Sequence, residues 1–206
     1  MINAYPLKFP RLSQDLTDTI LQFAQVCEDS MGFDPETDFD SIDKIKGNDY
    51  HVATKTNKGD YRGFILPEDI QSLIKKEIGN LSMTNFTFYL QIMKSRNPDD
   101  QNFRLAPHID PRRNAGFIYN FVEDTANTHF HNALISTQGR WGFGPDEISA
   151  PVETYHYEPH TWYIMNNSMI HSVTDITKTR ISITTSIDWV SYADFCTLFS
   201  NIIIRD

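Results

Sequence analysis

The stretch NFTFYLQIMKS (residues 85–95) begins the part of the 206-residue chain in which strand-like patterns replace helix-like ones. Its side chains alternate between two faces. Phe86, Phe88, Leu90 and Ile92 lie on one face, and Thr87, Tyr89, Gln91 and Met93 lie on the other. Such alternation predicts a β-strand that buries its apolar face.

Further strand candidates follow this stretch, separated by the Gly, Pro, Asn and Asp residues that are typical of turns. They read NAGFIYNFVED (114–124), THFHNALIST (128–137), HTWYIMNN (160–167) and RISITTSIDWV (180–190). The polar, turn-rich segment after residue 31 predicts loops with one short strand. The β-rich part therefore extends over about residues 85–190.

Two helices are predicted before this β-rich part. The first is capped by Ser13, runs to about Cys27 and presents an apolar face. The second starts near Pro67 and ends at Gly79. The apolar faces consist of Leu16, Ile20, Phe23 and Cys27 in the first helix, and of Ile70, Leu73, Ile74 and Ile78 in the second.

Two helices followed by five or more strands predict an α+β, mainly β fold whose main body is a β-sandwich or barrel. We expect a single domain over residues 1–206. Its parts are a helical and loop region (1–84), a β core (85–190) and a C-terminal extension (191–206).

Composition narrows the function classes. The net charge of −9 and the lack of a dense Lys/Arg run disfavour nucleic-acid binding. Cys27 and Cys196 are too few for a disulfide scaffold or a zinc site, and predict buried thiols in a reducing compartment. The sequence shows neither a signal peptide nor an apolar run long enough for a membrane span. We therefore expect a cytoplasmic protein, and nothing in the sequence indicates an oligomeric state.

A pair of metal-ligand residue types lies in LAPHIDPRRNAGFIYNF (residues 105–121). On a strand, His108 and Asp110 point to the same side, so one cation can bind both. Among seven histidines, however, about one His-x-acid pair is expected by chance. The pair therefore needs a third ligand to indicate a metal site.

His171, which follows Asp110 by about 60 residues, is the candidate third ligand. It would complete a 2-His-1-carboxylate triad, which is typical of non-haem Fe(II) sites with open coordination positions. The sequence thus predicts a metal centre of His108, Asp110 and His171.

The strand that begins at Arg180 carries a polar face and an apolar face. Arg180, Ser182, Thr184 and Ser186 share the first, and Ile181, Ile183 and Ile187 share the second. If the polar face points into a barrel, the guanidinium of Arg180 requires an anion. A carboxylate held by Arg180 and hydrogen-bonded by Ser182 meets this requirement.

The order His-x-Asp, a later His, and Arg-x-Ser nine residues beyond it resembles the Fe(II)/2-oxoglutarate-dependent dioxygenases. PHTWYIMNNSMIHSV (159–173) is similar to that family's late-strand signature, except that His160 follows Pro159 where Gly is usual. PHIDPRR (107–113) is similar to the branch of the proline-type and the aspartyl/asparaginyl hydroxylases. The likeness covers about residues 85–189.

This resemblance implies a double-stranded β-helix (jelly-roll, cupin-like) core supported by N-terminal helices. It implies that His108, Asp110 and His171 bind Fe(II), and that 2-oxoglutarate chelates the metal and extends to Arg180 and Ser182. With O2, such a hydroxylase converts an unactivated C–H group of its substrate to C–OH and releases succinate and CO2 from 2-oxoglutarate. Halogenating relatives have a small residue in place of Asp110, so hydroxylation is expected. The expected substrate is an amino acid-like small molecule or a residue in a peptide.

Several residues are candidates for substrate contacts. Arg112 or Arg113 at the pocket mouth would bind a substrate carboxylate, unless both lie in a solvated loop. Tyr89, Gln91 and Asn120 would contact 2-oxoglutarate or substrate. His131 would line the substrate side of the barrel, unless it only packs.

Two other interpretations stay open at this point. His129 and His131 could form a cupin-type metal site with His171, although that site usually has a Glu about four residues after the second His. The chain could also be a non-catalytic β-sandwich binding module in which the histidines are incidental.

Overall fold

The structure is a computed structural model of the chain. It describes residues 2–30, 59–79, 87–95, 105–110, 114–123, 126–140 and 142–205.

Within the described residues, ten strands, three α-helices and a short 3-10 helix follow one another. In order they are β1 (Ala4–Pro6), α1 (Gln14–Ser30), β2 (Gly59–Ile65), α2 (Glu68–Glu77), β3 (Phe88–Ser95), β4 (Leu105–His108), β5 (Gly116–Asn120), β6 (Asn127–His131), the 3-10 helix (Pro145–Glu147), β7 (Glu153–His156), β8 (Trp162–Met165), β9 (Ile170–Thr174), β10 (Arg180–Thr185) and α3 (Tyr192–Leu198).

The strands form two antiparallel sheets. The six-stranded sheet has the order β1-β8-β5-β10-β3-β2, and the four-stranded sheet has the order β4-β9-β6-β7. A cluster of buried side chains joins Ile118, Tyr163 and Met165 of the large sheet to Phe130 of the small sheet. The two sheets therefore face each other, as the predicted jelly-roll core requires.

The other face of the large sheet packs against the helices. Leu90 and Ile92 of β3 and Ile183 of β10 are fully buried there, in one cluster with Ile20 of α1 and Phe195 of α3. The strand alternation predicted for residues 88–93 and 180–185 is confirmed, because the intervening residues point toward the small sheet. The α+β, mainly β fold class is likewise confirmed.

The helices depart from expectation in two details. Helix α1 extends to Ser30, beyond the predicted end at Cys27. In α2, Leu73 is 46% exposed, so its placement on the buried face is wrong. Gln71 is buried instead: its amide donates to the Leu66 carbonyl oxygen at 2.7 Å and accepts from the Phe88 N–H at 3.0 Å. The buried face centres on Ile70, Gln71, Ile74 and Ile78 because their helical angles lie within about 100° of one another.

Cys27 and Cys196 are both buried and form no disulfide with each other. Among the helices that the structure describes, none combines the length and the apolar character needed to cross a bilayer.

The outer face of the small sheet carries His129 in a hydroxyl network. Its Nε2 lies 2.9 Å from Thr174 Oγ1, which donates its single proton to Asp175. Nε2 must therefore carry a proton, and Nδ1 accepts from Thr154 Oγ1 at 2.8 Å. Burial, and then the neighbouring His131, lower the pKa of His129 below its ordinary value of 6.5, while Asp175 opposes the shift.

Gly116 at the start of β5 leaves no room for a side chain. A Cβ at this position would lie 2.6 Å from the Thr185 carbonyl oxygen and 2.8 Å from Asn167 Nδ2. We expect Gly116→Ala to lower the free energy of unfolding by about 1–3 kcal/mol, because backbone atoms of two paired strands must separate. Denaturant unfolding measures this. Gly142→Ala is the control: a Cβ there meets nothing within 4 Å, so a loss of similar size in both variants would contradict the packing argument.

His129 should make the fold sensitive to acid. Its folded-state pKa is lowered, so on acidification the unfolded chain takes up a proton before the folded chain does. The free energy of unfolding should therefore fall from pH 7 to about pH 5. His129→Gln should reduce this slope, and the exposed His156→Gln serves as the control. An unchanged slope in His129→Gln would show that His129 does not contribute.

Candidate metal centre

Two of the predicted ligands are brought together by strand pairing. His108 is the last residue of β4, and it lies directly opposite His171 of the antiparallel strand β9. Their ring centroids are 4.3 Å apart and the ring planes are inclined by 55°. Directly opposite residues of an antiparallel pair have Cα atoms about 4.5–5.5 Å apart, which is why the two imidazoles meet.

Asp110 lies just beyond the end of β4, yet the strand alternation continues through it. Ile109 packs away from the site, against Phe143, Ile148 and Ile170. Asp110 Oδ1 is 3.8 Å from His108 Nε2, and the ligand atoms of His108, Asp110 and His171 all lie within 4.8 Å of one another. A cation bound at about 2.1 Å holds adjacent ligand atoms about 3 Å apart. His108 and Asp110 thus need to approach by only about 1 Å.

Backbone carbonyl groups fix the orientation of both imidazoles. His108 Nδ1 lies 2.8 Å from the Ala106 oxygen, and His171 Nδ1 lies 3.0 Å from the Met169 oxygen. A carbonyl oxygen can only accept, so Nδ1 carries the proton in each neutral ring. Each Nε2 therefore presents a lone pair, which is the state that binds a metal ion.

The three residues line a cleft between the two sheets, with an empty volume of about 490 Å³ including its open mouth. His171 is buried, whereas the side chains of His108 and Asp110 are partly exposed. The cleft walls also include Gln91, Met93, Leu105, Ile118, Thr128, Met165, Asn167, Val173, Arg180 and Thr184. The site is thus reached from solvent at its metal-ligand end.

Arg180 lies on the opposite wall, at the first residue of β10, and is only 1% exposed. Its Nε and Nη2 each lie 3.4 Å from Asn120 Oδ1, and its guanidinium carbon lies 5.7 Å from the centre of the Tyr157 ring. Burial raises the pKa of the Tyr157 hydroxyl, so this ring stays neutral beside the cation. A buried guanidinium on the wall of a cleft favours an anionic ligand.

Two buried hydroxyl groups on the same strand face support a ligand at this wall. Ser182 is fully buried and Thr184 is 6% exposed. Neither hydroxyl oxygen has a hydrogen-bond partner among the residues that the structure describes. Buried polar groups are normally satisfied, so these two hydroxyls fit a cleft that binds polar ligand groups better than a closed protein core.

The other predicted substrate residues fall into three groups. Gln91 lines the cleft and pairs across the sheet with Ser182, and Asn120 contacts Arg180. Tyr89 is the cross-strand partner of Thr184, so it lies on the cleft-facing side of the sheet without being one of the cleft-lining residues. Arg112 and Arg113 lie outside the described residues.

The structure does not bring His131 to this cleft. In β6, Phe130 pairs with His171, whereas His129 pairs with Ser172, so His129 and His131 point to the other face of the sheet. The His131 ring nitrogens lie 3.0 Å from the Ser149 carbonyl oxygen and 3.0 Å from Ser172 Oγ. The cupin-type arrangement with His171 is therefore wrong, because the sheet separates the rings.

His160 stands where the resembling family usually has Gly, and the turn before β8 forms with this histidine in place. His160 has a φ of 57°, the left-handed conformation that favours Gly, and its N–H donates to the Asn120 carbonyl oxygen at 2.8 Å. Sequence reasoning missed Thr128 and Asn167, which also line the cleft. The only signal for Asn167 was its place at the end of an apolar strand.

Solved structures share this fold at low sequence identity. A prolyl hydroxylase from Trichoplax adhaerens, in complex with a hypoxia inducible factor oxygen degradation domain peptide fragment, covers 90% of this chain and 84% of its own at 13% identity, with a TM-score of 0.50. The epimerase SnoN, in complex with Fe3+, alpha ketoglutarate and nogalamycin RO, covers 88% of this chain and 76% of its own at 11% identity, with a TM-score of 0.50.

The E. coli protein ycfD covers 72% of this chain at 9% identity, with a TM-score of 0.45. This chain spans only 38% of the ycfD length. No protein-family model matches the sequence, and no curated protein is significantly similar to it. The likeness to the prolyl hydroxylase and to SnoN confirms the expected jelly-roll core at the level of the fold. The chain shares its fold with this prolyl hydroxylase and with SnoN.

Proposed function

We propose that the chain is an Fe(II)- and 2-oxoglutarate-dependent oxygenase that hydroxylates an unactivated C–H bond and releases succinate and CO2. One observation carries the proposal: the His108, Asp110 and His171 ligand atoms lie within 4.8 Å of one another in the cleft that also contains buried Arg180. A 2-His-1-carboxylate set with open positions is the donor set of non-haem Fe(II) oxygenases.

His108 and His171 bind the metal through Nε2, and Asp110 binds it through a carboxylate oxygen. The donor set fits because both Nδ1 atoms face carbonyl oxygens, which leaves the Nε2 lone pairs for the metal. When bound, the metal would activate O2, which is the oxidant of the C–H bond, while 2-oxoglutarate would supply the other two electrons and leave as succinate and CO2. Protons compete with the metal for all three side chains, so metal binding weakens as the pH falls.

Arg180 and Ser182 bind the distal carboxylate of 2-oxoglutarate. The guanidinium supplies charge-assisted hydrogen bonds and the Ser182 hydroxyl supplies a further donor. Asn120, at 3.4 Å from two guanidinium nitrogens, holds the plane of Arg180. These residues orient the co-substrate, and the Tyr157 ring excludes water from the guanidinium.

The substrate is an amino acid-like small molecule or a residue in a peptide. The prolyl hydroxylase with the same fold was solved with a peptide fragment, which supports a peptide as one arm of a substrate screen. Residues 1–206 act as one domain in this proposal, and its site of action is the cytoplasm.

His108→Ala or Asp110→Ala should lower Fe(II)-dependent succinate release by more than about 100-fold, because a two-ligand site holds the metal weakly. Metal affinity, measured by calorimetry with Mn(II) in place of Fe(II), should fall in parallel. His156→Ala removes an exposed histidine outside the cleft and is the matched control. Unchanged succinate production in either ligand variant would rule out the triad.

Arg180→Ala should raise the 2-oxoglutarate concentration needed for half-maximal turnover by about 100-fold while metal affinity is kept, because only the co-substrate loses its charged partner. The anaerobic visible absorption band of the Fe(II)–2-oxoglutarate complex reports co-substrate binding directly. Arg140→Ala is the control, since Arg140 is exposed and pairs with Glu147. An equal loss of metal affinity in Arg180→Ala would contradict the assigned role.

A further inference from the structure

Asn167 is a buried amide in the same cleft as the candidate metal ligands. It lies in the turn between β8 and β9, is 3% exposed and lines the cleft. Its Oδ1 is buried and has no hydrogen-bond partner among the described parts of the chain. A buried amide oxygen without a partner is uncommon in a folded protein, and points to a ligand that donates a hydrogen bond.

The turn that carries Asn167 is held by its own hydrogen bonds. Asn166 Oδ1 accepts from the Ser168 N–H at 3.2 Å and from Ser168 Oγ at 2.6 Å. Asn166 Nδ2 donates to Asn3 Oδ1 at 3.0 Å. The next residue in the turn, Met169, accepts from His171 Nδ1. One turn therefore positions both Asn167 and the metal-ligand imidazole of His171.

The backbone opposite Asn167 has no side chain. Gly116 lies so close that its Cβ, if present, would be 2.8 Å from Asn167 Nδ2. The amide thus occupies space that only Gly at position 116 leaves open. Thr184, whose hydroxyl also has no partner in the described ranges, lies one residue before Thr185, the other neighbour of Gly116. Asn167 and Thr184 thus both line the cleft, and each has a buried polar atom without a partner in the described ranges.

The proposed co-substrate site does not account for this pair. Arg180 and Thr184 are four residues apart on β10, which corresponds to about 13 Å along a strand. The terminal carbons of a five-carbon diacid are only about 5 Å apart at about 1.5 Å per bond. A diacid held by Arg180 and Ser182 is therefore much shorter than the strand segment from Arg180 to Thr184.

We propose that Asn167 determines substrate specificity by accepting a hydrogen bond from an N–H or O–H group of the substrate, while its Nδ2 donates to a neighbouring acceptor. This inference rests on the proposed function for the assignment of the metal and Arg180 to other ligands. Apart from Asp110 and Arg180, the described residues of the cleft walls are uncharged, and they include Ile118, Met165 and Thr128. The group that enters is a neutral amide, in a small molecule or in a peptide.

Two small amides test the hydrogen bond without knowledge of the substrate. N-methylacetamide has an N–H donor, whereas N,N-dimethylacetamide has the same carbonyl and no donor. Each is titrated into the Zn(II)- and 2-oxoglutarate-loaded protein while the side-chain amide resonances are followed by NMR. We expect a saturable shift of the Asn167 resonance with N-methylacetamide and at least about tenfold weaker binding of the dimethyl compound.

Asn167→Leu should weaken N-methylacetamide binding by about tenfold and abolish its preference over the dimethyl compound, and exposed Asn132→Leu is the matched control. Equal binding of the two amides, or no saturable shift in the wild type, overturns the proposal and leaves Asn167 as a water-binding group. The wild-type titration decides this even if the variant does not fold.

Metal and 2-oxoglutarate binding, measured on the same samples, separate this inference from the proposed function. If the amides bind and neither the metal nor 2-oxoglutarate does, the oxygenase proposal fails and the amide site stands. If both cofactors bind and the amides do not, only the Asn167 inference fails. Succinate release with capped amino acid amides and with short peptides then distinguishes the two sources of the amide.

Discussion

The antiparallel pairing of β4 with β9 is the constraint on which the candidate site depends. It puts His108 directly opposite His171 and leaves Asp110 one alternation further, on the same side. A shift of this register by one residue would turn one imidazole to the other face of the sheet. The partly buried Ile109 opposes such a shift, because its burial against Phe143 and Ile148 fixes which side of β4 faces the cleft.

Strand β10 orients the polar side chains on the opposite wall of the cleft. Ile183 is buried against the helices, and Arg180 and Ser182 point between the sheets. The apolar burial on one face supplies the free energy that holds a guanidinium in a poorly solvated position on the other face. The same strand therefore stabilises the fold and places a buried guanidinium on the wall of the cleft.

Some buried faces of this fold follow from local sequence period, and others depend on contacts outside the element. The apolar faces of β3, α1 and β10 follow from periodicity alone, because burial selects residue type at fixed spacing. Leu73 and Gln71 in α2 do not, since the buried amide is selected by backbone groups outside the helix, those of Leu66 and Phe88. The prediction that His131 lines the cleft was wrong for the same reason. A same-face His pair shows strand alternation, but not which face of the sheet meets the cleft.

By itself, the sequence determined the β-rich class, the order of the candidate ligands and the two-faced character of the strand at Arg180, because these depend on residue type and local period. Only the tertiary structure decided that the His108, Asp110 and His171 ligand atoms converge, that Arg180 lies in the same cleft, and that His129 and His131 lie behind the sheet. Those facts depend on strand register and sheet packing, which are set by contacts between residues far apart in the chain. The sequence showed Asn167 only as the end of an apolar strand, because its significance comes from its place in the cleft beside the bare backbone of Gly116.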